Sequence, residues 1–122
     1  MNFNEYQEKA KTTALYLDGI KKEFPDLPQK IYKLLGISYV SNGLGETGEV
    51  QGKIKKIIRD SNGNITEEHK KEIGKELGDV IWYVSQMCEE LGISFQDVAE
   101  GNIEKLFSRK ERNVLKGSGD NR

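Results

Sequence analysis

Four carboxylates in two matched pairs are the residues of this sequence whose types and spacing point most directly to chemistry. Glu46 and Glu49 are three residues apart in Gly-Glu-Thr-Gly-Glu-Val, and Glu76 and Asp79 repeat that spacing in Glu-Leu-Gly-Asp-Val. On an α-helix, residues three apart share a face, so each pair directs two carboxylates the same way. Two such helices side by side would concentrate negative charge, which is unfavourable without a cation such as Mg²⁺. The spacing therefore predicts a metal site suited to phosphate chemistry.

The same acids also have a simpler interpretation as surface charges. Glu49 and Lys53 are four residues apart, as are Lys75 and Asp79, and such pairs stabilise a helix by about 0.2–0.5 kcal/mol. On a helix with about 100° per residue, however, Glu76 lies roughly 90° from the centre of the apolar stripe rather than opposite to it. The earlier acidic pair likewise lies beside the stripe of its own helix. Periodicity alone leaves both interpretations open.

Helices must position these acids, because apolar residues recur at helical spacing along most of the chain and its two prolines both lie near the front. We predict an all-α bundle of about four helices. They cover residues 3–18, 28–59 and 66–91, followed by a fourth that begins after Ser94. Asp18-Gly19 should interrupt the first helix, Asn62-Gly63 should form the turn before the third, and Gly92 should end the third.

The predicted second and third helices carry two further signals. Five glycines in the second helix each cost about 1 kcal/mol relative to alanine, which suggests that a neighbouring helix or a ligand packs close to the backbone. A kink near Gly36 to Ser38 is the alternative. The third helix has an apolar stripe that we expect to face the core. Its members are Ile73, Leu77, Val80, Ile81, Val84, Cys88 and Leu91.

Size, charge and cysteine content limit the class of protein. The chain has 122 residues, 19 basic and 20 acidic side chains and a formal net charge of −1. Such a balance, without a basic block, argues against a general nucleic-acid binder. A single cysteine, Cys88, excludes a disulfide framework, and no apolar run is long enough to cross a bilayer. We expect a soluble cytoplasmic protein with one domain over residues 1–112 and a flexible tail over residues 113–122.

An ordered set of motifs resembles the MazG-like nucleotide pyrophosphohydrolases, a family of all-α nucleoside triphosphate pyrophosphatases. The motifs are Gly43–Val50, Lys55-Lys56, Glu76–Tyr83 and Asn102–Arg109, and the resemblance extends from about Tyr6 to Arg112. Many members have Glu-Glu-x-x-Glu in the second helix, whereas Gly45 here stands in place of the first acid. This shorter form resembles relatives that act on deoxynucleotides.

The resemblance implies hydrolysis of a nucleoside triphosphate to the monophosphate and pyrophosphate. It implies that Mg²⁺, or Mn²⁺ in its place, is held by a catalytic set consisting of Glu46, Glu49, Glu76 and Asp79. One glutamate of that set could take a proton from water. The implied substrate-binding residues are Asn102, Lys105, Arg109, Lys56 and Tyr83. On residue type alone, Lys105 and Arg109 would instead be a solvated basic face.

Association into a homo-oligomer, a dimer or a tetramer, is expected on two grounds. Only 35% of the residues are apolar, so a few long helices make a thin core that a second copy would cover. The resemblance points the same way. The alternative to an enzyme is a non-catalytic helical oligomer that serves as a partner-binding module, and the presence of all four acids weighs against it.

Overall fold

The computed structural model describes the backbone of all 122 residues and every side chain except that of Glu46. Its α-helices are α1 Phe3–Lys11, α2 Tyr16–Glu23, α3 Gln29–Gly43, α4 Thr47–Asp60, α5 Glu67–Leu91 and α6 Phe95–Glu111. A 3₁₀ turn over Leu44–Glu46 joins α3 to α4. No β-strand occurs in the described backbone, so the predicted all-α class is confirmed.

The ends of α5 follow from local chemistry. Asn62 and Gly63 adopt positive φ values of 51° and 76° in the turn before the helix. The Thr66 hydroxyl then accepts a hydrogen bond from the backbone N–H of His69 at 3.2 Å, and Gly92 ends the helix with a φ of 67°. These are the turn and the stop that the sequence predicted, because asparagine and glycine tolerate the left-handed region.

The first predicted helix is divided in two. It ends at Lys11, and the interruption expected at Asp18-Gly19 is wrong, since both residues lie inside α2. The hydroxyls of Thr12 and Thr13 each donate at 2.7 Å to the carbonyl three residues earlier. Threonine side chains that bond locally in this way compete with helical hydrogen bonds and favour a helix end.

The second predicted helix breaks at the 3₁₀ turn and not at Gly36 to Ser38. Close packing against glycine is confirmed at two positions. A Cβ added to Gly43 would lie 2.0 Å from Cε1 of Tyr83, and one added to Gly36 would lie 3.0 Å from the Glu90 carboxylate oxygens. The helices α3 and α5 therefore approach closely where α3 lacks side chains.

Helix α5 is the centre of the bundle, because α1, α3 and α4 all pack against it. Helix α2 packs on α3, whereas α6 packs on α1 and on α5. Within the described chain α6 makes no contact with α4. Of the predicted acids, Glu49, Glu76 and Asp79 lie on the α4–α5 pair, whereas Glu46 lies in the 3₁₀ turn and so not on the same helix as Glu49. Of the predicted basic residues, Lys56 lies on α4, and Lys105 and Arg109 lie on α6. No helix in the described chain is both long enough and apolar enough to cross a membrane.

The predicted core face of α5 is only partly correct. Cys88 is buried, but Leu77 and Ile81 are 49% and 41% exposed. The buried side of the helix instead includes the polar residues Ser85, Gln86 and Glu90. A stripe of apolar residues shows which face of a helix is apolar, but it does not show how much of that face neighbouring helices will bury. Part of the apolar stripe of α5 is therefore exposed to solvent in the single chain.

Burial of Glu90 is balanced by partners from other helices. The Tyr16 hydroxyl donates to its carboxylate at 2.5 Å, and the Lys33 ammonium lies 3.5 Å away. Burial raises the pKa of Tyr16, and the hydrogen bond to Glu90 raises it further, so the phenol stays protonated. This network fixes α2 and α3 against α5, because a buried carboxylate without partners would be strongly destabilising.

Candidate active site

Helices α4 and α5 form an antiparallel hairpin whose register is given by one ion pair. The ammonium nitrogen of Lys53 lies 3.6 Å from the Glu76 carboxylate. In an antiparallel pair, one turn back along α4 corresponds to one turn forward along α5. We therefore expect Glu49, one turn before Lys53 on the same face, to lie near the height of Asp79. The structure places acids of the two motifs on adjacent helices that pack together.

The described carboxylates do not close into one cluster. Glu49 and Asp79 are exposed, whereas the Glu76 side chain is 20% exposed and pairs with Lys53. Among the described His, Cys, Asp and Glu side chains, no three are grouped closely enough to hold a metal ion. The fourth predicted ligand is not part of that comparison, because the side chain of Glu46 lies outside the described residues. Convergence of the four acids stays a prediction.

The chemistry of the donor set nevertheless fits a hard divalent cation. All four predicted ligands are carboxylates, the oxygen donors that Mg²⁺ and Mn²⁺ prefer. The Lys53 ammonium supplies positive charge next to Glu76, the one described acid of the set that is partly buried.

Tyr6 is a neighbour of the acids that sequence reasoning missed. Its pKa is raised, first because burial disfavours the phenolate and second because the negative charge of Asp79 opposes a second one. The phenol therefore stays protonated at neutral pH and keeps a hydroxyl donor near Asp79. Tyr6 lies on α1, and nothing in the local sequence of α1 indicates which part of α5 it will reach.

An aromatic cluster, formed by Tyr16, Trp82 and Tyr83, lies about one helical turn after Asp79. The ring of Tyr83, a predicted substrate-binding residue, packs against Gly43 and lies edge-on to Trp82 at 5.1 Å between ring centroids. Trp82 donates its indole N–H to the Thr13 hydroxyl at 2.9 Å and lies edge-on to Tyr16. Trp82 is thus packed within its own chain. The contribution of Tyr16 was not visible in the sequence, because it comes from a separate helix.

Lys56 lines a cleft of about 180 Å³ between the end of α4 and the start of α5. Lys53, His69 and Glu72 line the same cleft. Because Lys53 also pairs with Glu76, the cleft adjoins the acidic face of the hairpin. The structure therefore places Lys56 in the same cleft as Lys53, the partner of Glu76, and the role of Lys56 in substrate binding stays a prediction.

The structure brings Lys105 and Arg109 of α6 together, but it shows no ion pair between them and the predicted metal ligands among the described residues. Asn102 and Lys105 are exposed, whereas Arg109 is only 5% exposed. The Asp120 carboxylate lies 3.8 Å from the Lys105 ammonium and 3.7 Å from the Arg109 guanidinium. Because Arg109 is buried, the alternative interpretation of Lys105 and Arg109 as a solvated basic face is wrong for Arg109. Their role as phosphate ligands stays a prediction.

Comparisons with known proteins identify the family of the chain. A family model described as the MazG nucleotide pyrophosphohydrolase domain matches residues 37–114, which include both acidic pairs and the basic residues of α6. The Gene 37 protein of Mycobacterium phage L5 is 42% identical over 128 aligned residues, which span 100% of each chain. No solved structure matches the chain significantly. The chain belongs to the MazG nucleotide pyrophosphohydrolase family.

Proposed function

We propose that this protein hydrolyses nucleoside or deoxynucleoside triphosphates to the monophosphate and pyrophosphate in a Mg²⁺-dependent reaction that clears unwanted nucleotides from the cellular pool. One observation supports the proposal: helices α4 and α5 pack together with Glu49 on one helix and Glu76 and Asp79 on the other, and the Lys53 ammonium of α4 lies 3.6 Å from the Glu76 carboxylate. Both acidic pairs lie inside the family match. The family generally depends on a divalent metal.

We assign the acids to metal binding and the lysines to phosphate binding, according to their charge. Glu46, Glu49, Glu76 and Asp79 would hold Mg²⁺, or Mn²⁺ in its place, and such an ion neutralises phosphate charge and lowers the pKa of a bound water. A glutamate not committed to the metal would accept the proton of that water. Lys53 would lose its partner once Glu76 binds a cation. Its ammonium would then join Lys56 in contacting a phosphate group at the cleft, whose lining also includes the acidic residues Asp60 and Glu72.

The aromatic cluster and α6 would bind the two ends of the nucleotide. The ring of Tyr83 lies on the same helix as Asp79, within reach of a base held over the hairpin. Lys105 and Arg109 are the cations that would bind the pyrophosphate group, with Asn102 on the same face of α6. Among the described residues Lys105 and Arg109 form ion pairs with Asp120 and with none of the predicted metal ligands, and we propose that they meet the acids of a second copy.

A nucleotide panel tests the activity. The purified protein should release pyrophosphate from at least one ribo- or deoxyribonucleoside triphosphate when Mg²⁺ is present, and release should stop in EDTA. A coupled pyrophosphate assay with chromatographic identification of the monophosphate measures both products. If no nucleotide releases pyrophosphate with either Mg²⁺ or Mn²⁺, the chain is better explained as a non-catalytic helical oligomer.

Assembly into a homo-oligomer has its own test. Leu77 and Ile81 on α5 and Ile103, Leu106 and Phe107 on α6 are exposed, and covering such surface is the usual source of stable association. Light scattering at micromolar concentration should give a multiple of 13.8 kDa. Mixing an inactive Glu76→Gln variant with an inactive Lys105→Ala variant should restore part of the activity, because one mixed site has both groups intact. A clean monomer mass that is still active would contradict the shared site.

A further inference from the structure

The last ten residues fold back on the end of α6 and form what we call the tail loop, residues 113–122. Asn113, Gly117 and Gly119 turn the chain with φ values of 56°, 134° and 87°. The N–H of Val114 donates to the Arg109 carbonyl at 2.8 Å, and Arg122 donates to the Gly119 carbonyl at 2.6 Å. Two glycines in the left-handed region allow a loop of this shape, which other residues adopt only with strain.

The tail loop is seated on the two cations that the proposed function assigns to phosphate. Nη2 of Arg109 donates to the Asp120 carbonyl at 3.0 Å and to the Gly119 carbonyl at 3.4 Å. The Asp120 carboxylate lies within 4 Å of both Arg109 and Lys105. Three oxygen-bearing groups of the loop thus lie against the guanidinium of Arg109, whose side chain is only 6% exposed.

This seating leaves Arg109 incompletely satisfied. Its Nε is buried and has no hydrogen-bond partner among the described residues. The Asp120 carboxylate approaches no closer than 3.7 Å, beyond hydrogen-bond distance, and is 90% exposed to solvent. A phosphate oxygen pair, in contrast, can accept from Nε and a terminal nitrogen together in the bidentate geometry that guanidinium groups favour. A phosphate would therefore make contacts that the loop does not.

We propose that the tail loop is an intramolecular competitor for the pyrophosphate group, seated on Lys105 and Arg109 in the empty protein and displaced when the phosphates bind. This inference rests on the proposed function, since it assumes that these two cations bind phosphate. Pyrophosphate can bind only to molecules in which the loop does not cover the two cations. The apparent affinity for pyrophosphate is therefore the intrinsic affinity multiplied by the fraction of uncovered molecules. The loop would thus weaken retention of the pyrophosphate product and restrain the empty enzyme.

Binding of inorganic pyrophosphate tests the proposal without requiring turnover. Calorimetric titration would compare the parent with Asp120→Asn, which removes the carboxylate, and with Gly119→Ala, which opposes the loop's backbone conformation while keeping every charge. A Cβ at Gly119 would meet no described atom within 4 Å, so backbone strain is its main effect. Both variants should bind pyrophosphate about threefold to tenfold more tightly than the parent, because fewer molecules have the site covered.

The matched control is Glu111→Gln, which removes one negative charge from the exposed end of α6 without touching the loop's contacts to Arg109. It should change the affinity by less than about twofold, as expected for an exposed charge in high dielectric. In amide NMR spectra of the parent, pyrophosphate should shift the Gly117 and Asp120 signals towards their positions in Gly119→Ala. The spectra also show directly whether each variant is folded.

Equal pyrophosphate affinity in all four proteins would overturn the proposal, as would loop signals that do not move at saturating pyrophosphate. The same measurements distinguish this proposal from the proposed function. Suppose that the protein releases no pyrophosphate from any nucleotide, but that both loop variants bind added pyrophosphate more tightly than the control does. The proposed enzymatic activity would then be wrong, whereas the proposal that the tail loop competes with pyrophosphate would stand.

Discussion

Asp79→Asn is expected to lower pyrophosphate release by orders of magnitude while leaving the metal-free protein at least as stable as the parent. The substitution keeps the size and helical geometry of the side chain but removes one negative charge and weakens one predicted metal ligand. If the four acids converge, the metal-free parent carries like-charge repulsion that the variant relieves. Tyr6 should report the same change, since Asp79 contributes to its raised pKa. The pKa of Tyr6 should therefore fall in Asp79→Asn.

Millimolar Mg²⁺ should reverse the order of stability. Only the parent gains free energy of unfolding from binding, by RT ln(1 + [L]/Kd). Thermal melts of both proteins with EDTA and with Mg²⁺ give the comparison, and Asp26→Asn, in the exposed loop between α2 and α3, is the matched charge-loss control. It should respond to Mg²⁺ as the parent does. A parent whose melting temperature ignores Mg²⁺, both with and without nucleotide, would show that the acids are ordinary surface charges.

Gly43→Ala is expected to destabilise the protein, although alanine is the better helix former by about 1 kcal/mol. The added Cβ would lie 2.0 Å from Cε1 of Tyr83, a separation that real side chains do not reach, so the ring or α3 must move. Overpacking of this kind costs about 1–3 kcal/mol. Urea unfolding should therefore give a lower midpoint for Gly43→Ala. Activity should fall too, because Tyr83 is displaced beside the acids.

Two controls isolate the clash. Gly74→Ala, in α5, adds a Cβ that would meet no described atom within 4 Å, so it should raise stability by up to about 1 kcal/mol. In a Tyr83→Leu background the cost of Gly43→Ala should shrink or change sign, because the ring that blocks the Cβ is gone. An equal cost with and without the tyrosine ring would show that helix geometry, and not the contact with Tyr83, sets the effect.

The sequence by itself determined the local features of this protein. The α5 boundaries follow from Thr66, the Asn62-Gly63 turn and Gly92, because capping and positive φ depend on residues within a few positions of each other. The spacing of the acidic pairs and their ordered motifs likewise predicted the family, which the match over residues 37–114 confirms. The all-α class followed from helical periodicity along the chain. Each of these signals can be read from residue identity and spacing along the chain, without knowing which helices pack together.

Only the tertiary structure decided which faces meet. Pairing of Lys53 with Glu76 sets the register of the hairpin, Tyr6 reaches the neighbourhood of Asp79, and residues beyond α6 bury Arg109. Periodicity identifies a face of a helix, but the identity of the neighbour depends on how all the helices pack. For the same reason the α5 stripe, apolar along its whole length, is buried at Cys88 and open at Leu77 and Ile81. Helix packing, a non-local property, therefore decides the environment of every candidate site residue.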